Sequence, residues 1–207
     1  VVDALNWTAS QEVTFSDDLL QTAYEESRPM ILLTTHRREN WGEPMRRIGE
    51  AVAQIAKRYP DHLVMFPLHA NPLVREVVLP TIAGIDNIHV TEALNYPEFV
   101  HAQKWARLVL TDSGGVQEEA PSFGKPVLVL RDNTERPEAV QAGTVKLVGT
   151  NTEDIVNATV ELLDDPERYA QMAQAVNPYG DGRAAERSVA AIAQLLGVGK
   201  RSGNFQA

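Results

Sequence analysis

The stretch RLVLTDSGGVQEEAPSFGKPVLVL, Arg107 to Leu130, joins two short apolar runs through a segment that opens on two glycines and then turns helical. RLVL and PVLVL are rich in Val and Leu, brief and not alternating, which is the pattern of strands covered on both faces. A strand, a helix and a second strand in that order make a right-handed crossover between parallel neighbours. The same rhythm runs outward through MILLTTH (Met30 to His36), HLVMFPLH (His62 to His69), NIHVTEA (Asn87 to Ala93) and TVKLVG (Thr144 to Gly149). Between these runs Met45, Ile48, Val52 and Ile55 recur at helical spacing, as do Ile155, Thr159, Leu162 and Leu163, and later Ala185, Val189, Ile192, Ala193 and Leu196. The expected fold class is α/β, a Rossmann-like parallel sheet of about six strands with helices on both faces.

Composition narrows the chemistry. The 207 residues, 43% hydrophobic, suit a globular core, and the absence of cysteine removes thiolate nucleophiles, disulfides and zinc-thiolate sites. A net charge of -9 argues against a general nucleic-acid or anionic-membrane surface, so an anionic ligand needs a local positive pocket. No apolar run approaches the roughly eighteen residues of a membrane span, and the cytoplasm is the expected compartment. The chain opens VVDALNW without an initiator methionine. Residues 1–28 are read as the remnant of an interdomain connection, 29–180 as the nucleotide-binding domain and 198–207 as a flexible tail.

In such sheets ligands collect beyond the carboxyl ends of the strands, where helix N-termini gather. In TDSGG the bare backbone of Gly114 and Gly115 after Ser113 suits a phosphate or diphosphate, and Glu119, one turn on, suits ribose hydroxyls. Glu118 then points to solvent; the alternative is a tight strand-to-helix turn with ordinary first-turn glutamates. THRREN sets His36, Arg37 and Arg38 at the end of the first strand, as a positive pocket or as a solvated helix start. His69 in PLHANP is either a ligand or a loop histidine; His62, His89 and His101 are read as structural. In RDNTERPE, Arg136 reaches a phosphate or base, or makes a surface ion pair. Tyr96 and Phe99 of NYPEF offer an aromatic face to a base or to the core.

THRREN, HANP, LNYPEF, TDSGGVQEEAPSFGKPVLVLRDNTERPE, Gly149-Thr150 and NPYGDG, in this order, resemble the non-hydrolysing UDP-N-acetylglucosamine 2-epimerases of bacteria. The resemblance runs from about Met30 to Leu196, and it implies the C-terminal half of a GT-B type fold. It implies interconversion of UDP-GlcNAc and UDP-ManNAc by C2 deprotonation, expulsion of UDP and its re-addition, for cell envelope polysaccharide, with neither a metal nor a nicotinamide cofactor. By motif position, Ser113, Gly114 and Gly115 resemble the diphosphate cradle, Glu119 the ribose anchor, Arg136 a UDP contact and Phe99 part of the uracil pocket. His36 resembles the active-site histidine facing the leaving UDP. Arg37 and His69 resemble contacts of a second, allosteric UDP-GlcNAc. The family's acid/base carboxylates belong to an N-terminal domain, so this chain alone is expected to be inactive, and the intact protein is expected to be a homodimer. Residues 181–197 resemble the helix that crosses towards that domain. The nucleotide-binding half of a UDP-sugar glycosyltransferase and a non-catalytic UDP-binding module are the competing readings.

Overall fold

The computed structural model describes residues 1–206. Six parallel strands, β1 (Met30–Thr34), β2 (Leu63–Pro67), β3 (Ile88–Thr91), β4 (Leu108–Thr111), β5 (Val127–Val129) and β6 (Val145–Leu147), lie in the order β3-β2-β1-β4-β5-β6. Each falls inside one of the apolar runs picked out above. The order reverses between β1 and β4, so the crossovers leave these two strands in opposite directions and open a crevice at their carboxyl ends.

The helices are α1 (Val2–Ala9), α2 (Asp18–Glu25), α3 (Glu43–Arg58), α4 (Pro72–Ile82), α5 (Tyr96–Trp105), α6 (Gly114–Glu119), α7 (Pro137–Gln141), α8 (Thr152–Asp164), α9 (Pro166–Ala173) and α10 (Ala184–Leu195). None is long and apolar enough to cross a membrane. Alternation along β1 divides the core. Ile31 and Leu33 face Met45, Ile48, Val52 and Ile155 of α3 and α8, while Met30 and Leu32 face Leu20, Ala102 and Val116 on the other side. Burial of both faces is why these strands read as continuous apolar runs rather than as alternating ones.

Residues 1–28 pack onto this same body. Leu5 and Leu20 are fully buried, and Phe15 meets Tyr24 and Trp105 at ring separations of 5.3 and 6.1 Å. Ser16 donates its N–H to Glu98 Oε1 at 2.5 Å, and His89 meets Asp17 at 2.8 Å. His62, His89 and His101 all lie away from the crevice, and His101 is buried beside Tyr24. By contrast, α10 buries no residue, and its stripe of Val189, Ile192 and Leu195 is 57 to 86% exposed. Residues 198–206 form neither helix nor strand; Ala207 lies outside the described residues.

Candidate nucleotide site at the strand switch point

The paired strands β1 and β4 run in register to Thr34 and Thr111, whose hydroxyls share a 2.6 Å hydrogen bond. The next residue of β4, Asp112, is fully buried. A carboxylate removed from water needs donors around it. Thr35 Oγ1 supplies one at 2.8 Å, the Arg37 N–H one at 2.9 Å, Asn40 Nδ2 one at 3.0 Å and the His36 N–H one at 3.1 Å. His36 Nδ1 stands 3.4 Å from the other oxygen. Asn40 also donates to the Leu130 carbonyl at 3.1 Å, so the loop carrying His36 and Arg37 is tied to the ends of both β4 and β5. Sequence reading passed over Asp112. The signal was a carboxylate directly after an all-apolar strand, where no water reaches it.

At the start of α6 the Ser113 N–H donates to Thr111 Oγ1 at 3.0 Å, so Ser113 offers a ligand its hydroxyl rather than its amide. That hydroxyl makes no capping bond. Gly114 and Gly115 occupy the first helical positions, whose N–H groups have no partner within the helix. Neither glycine has a positive φ, and a Cβ on either would meet nothing closer than 3.5 Å. Neither the backbone angles nor the protein's own packing demands glycine here, and open access to the amides is the physical property that remains.

The atoms nearest that open space are cationic. A Cβ on Gly114 would lie 3.5 Å from Arg37 Nη2 and 3.9 Å from Arg136 Nη2. Arg37 Nε is buried with no hydrogen-bond partner among the described residues. Arg136 Nε meets Glu118 Oε1 at 2.5 Å, and this bond raises the Arg136 pKa. Glu118 therefore does not point to solvent as its sequence position suggested: its side chain is 16% exposed and neutralises one of the two guanidiniums. Two like charges aimed at one point repel, and an anion placed between them is attracted to both.

A third, nearly buried cation ties together the loops that carry this pair. The Arg131 side chain, 7% exposed, meets Glu39 Oε1 at 2.6 Å and both oxygens of Glu135 at 2.6 and 3.1 Å. Those bonds hold the Glu135 carboxyl down at about 2.

Beside the glycines lies a cavity of about 280 Å³ lined by His36, His69, Leu94, Phe99, Ser113 and Val116. The His36 and His69 rings stack at 6.3 Å and 18°. His69 Nδ1 accepts from the Asn71 N–H at 3.1 Å, which leaves Nε2 as the protonated nitrogen. A neighbouring cavity of about 460 Å³ shares His36 and His69 and adds Arg37, Arg38, Trp41 and Asn71. Glu119 does not line the first cavity; it is held by Gln103 Nε2 at 2.8 Å and more loosely by the Tyr96 hydroxyl at 3.5 Å. Burial, and then the charge of Glu119, raise the Tyr96 pKa. The crevice thus gathers His36, His69, Phe99 and Ser113 around one cavity and Arg37, Arg136 and Gly114 at its margin. Glu119 stands one helical turn further on.

Comparison with known proteins adds a family to this geometry. The profile of UDP-N-acetylglucosamine 2-epimerase matches residues 1–193. A UDP-N-acetylglucosamine 2-epimerase of Bacillus subtilis is 49% identical over 188 residues, which are 91% of this chain and 48% of that protein. Among solved structures, the S. aureus MnaA-UDP co-structure is 43% identical with a TM-score of 0.88, covering 99% of this chain and 55% of that one. UDP-GlcNAc 2-epimerase from Neisseria meningitidis bound to UDP-GlcNAc is 42% identical with a TM-score of 0.82, covering 93% and 53%. The chain spans about half the length of the relatives it matches. A match of this extent leaves one assignment: the chain belongs to the UDP-N-acetylglucosamine 2-epimerase family.

Proposed function

We propose that this chain is the UDP-binding half of a UDP-GlcNAc 2-epimerase. The observation that carries the reading is the convergence of Arg37 and Arg136 on the open backbone at Gly114. A diphosphate there receives N–H groups from Gly114 and Gly115, the Ser113 hydroxyl and charge from both guanidiniums. Phe99, on the cavity wall, packs against uracil. Glu119 accepts from ribose, whose hydroxyl displaces the long Tyr96 bond and leaves the Gln103 bond in place.

In the reaction, a base removes the proton at sugar C2, the C2–H electrons form the C1=C2 double bond, and the C1–O bond breaks anti to give UDP and 2-acetamidoglucal. Re-addition of UDP with protonation on the opposite face gives UDP-ManNAc. This chain holds the leaving diphosphate, with His36 facing it, where a positive or hydrogen-bonding group stabilises developing negative charge. We assign the carboxylates that move the proton to the other half of the intact protein. The exposed stripe on α10 is then a surface for contact with that half. The cavity lined by Arg37, His69 and Trp41 is the place for a second, regulatory UDP-GlcNAc. The intact protein is proposed to act in the cytoplasm as a homodimer.

The test is proton NMR of UDP-GlcNAc in deuterated water. The intact protein should exchange the C2 hydrogen and form UDP-ManNAc, and this chain alone should do neither. Release of free ManNAc, or transfer of the sugar without C2 exchange, would overturn the epimerase reading. Turnover by the chain alone would overturn the division of labour.

A further inference from the structure

Arg136 is held from two sides. Its guanidinium meets Glu118, and its backbone follows directly on Glu135, which Arg131 grips with two nitrogens. The third Arg131 contact, Glu39, stands two residues beyond Arg37 on the other loop. One guanidinium, nearly buried, therefore joins the β1 loop to the β5 loop, the two loops that carry the cations nearest Gly114. Both glutamates are about half exposed. A surface ion pair of that exposure contributes little to stability, whereas a forked, desolvated arginine fixes geometry in two directions.

We propose that Arg131 is a positioning residue for the diphosphate site, clipping the loop that bears Arg37 to the loop that bears Arg136 and so setting the distance between their guanidiniums. The inference rests on the UDP-binding reading above. It assigns Arg131 no contact with the ligand. Lysine in its place keeps the charge but carries its donors on one nitrogen, so it cannot reproduce the three-nitrogen geometry that holds Glu39 and both oxygens of Glu135.

The experiment is calorimetric titration of the chain with UDP and with UMP. Arg131→Lys should weaken UDP about tenfold, because a shifted guanidinium loses a charge-assisted bond, and should change UMP by less than about twofold. Glu135→Gln, half exposed and therefore tolerant of substitution, should reproduce the UDP-specific loss if Arg131→Lys does not fold. In an Arg136→Ala background, Arg131→Lys should cost UDP less than about twofold, because the residue it acts through is gone. Equal losses for UDP and UMP, or an undiminished loss without Arg136, would overturn the inference while leaving the UDP site standing. A wild-type chain that binds no UDP would instead overturn the functional reading on which the inference depends.

Discussion

At the scale of single residues, what distinguishes Gly114 is the absence of any structural demand for it. Its φ is ordinary, and its missing Cβ faces only the guanidinium tips of two arginines. Gly114→Ala should therefore fold normally, with stability changed by less than about 1 kcal/mol. The same methyl obstructs the amides and guanidiniums that a diphosphate needs, so UDP affinity should fall about tenfold or more. Thermal unfolding and UDP titration of one variant check both halves. Loss of stability with UDP binding intact would reverse the assignment.

Glu135 carries a pH dependence of defined sign. Hydrogen bonds from Arg131 lower its folded pKa to about 2, below the ordinary carboxylate value, so the stabilisation is complete above the unfolded pKa. It is lost as pH falls from the ordinary carboxylate range through the folded value. The stability difference between wild type and Arg131→Met should be larger at about pH 7 than at about pH 3, measured as urea midpoints. A difference that grows on acidification would contradict this.

At the scale of elements, α3 and α4 cross where Gly49 meets Thr81. A Cβ on Gly49 would lie 2.1 Å from Thr81 Oγ1, which donates to the Val78 carbonyl, and 3.2 Å from Thr81 Cβ. Gly49→Ala should destabilise by about 1–3 kcal/mol through overpacking. In a Thr81→Ala background the hydroxyl is gone and only the 3.2 Å contact with the residue 81 Cβ remains, so the same change should cost at least about 1 kcal/mol less. Chemical denaturation of the four proteins checks the difference.

The strands were legible because burial on both faces leaves an unbroken apolar run, a local signal that needs no partner. Local features alone mark the candidate residues that the crevice gathers: glycines after a strand, cations after a strand, an aromatic in a helix start. What was missed depends on distant partners. Asp112 draws its donors from Thr35, 77 residues away, and Arg131 meets Glu39, 92 residues away, partners that no local pattern names. Glu118 was misread for the same reason, since its partner Arg136 is 18 residues on. The N-terminal segment looked like a polar connection because Leu5, Phe15 and Leu20 are widely spaced. Their burial, worth about 1.5–3 kcal/mol each, comes from packing against the rest of the domain.

At the scale of the whole molecule, a chain of net charge -9 concentrates positive charge at one crevice. Arg37 and Arg136 converge on Gly114, and Arg131 ties their two loops together through Glu39 and Glu135. The order of the sheet puts that crevice between β1 and β4, and the buried Asp112 fixes the loop that borders it. The acidic surface does not oppose a nucleotide that enters here, because field lines from a narrow cationic cleft act locally at physiological salt. The most direct measurement is calorimetric titration of the wild-type chain with UDP and UMP in the same buffer. Recognition of the diphosphate by Gly114, Arg37 and Arg136 predicts UDP binding at least about tenfold tighter than UMP. Equal affinity for the two nucleotides would contradict it.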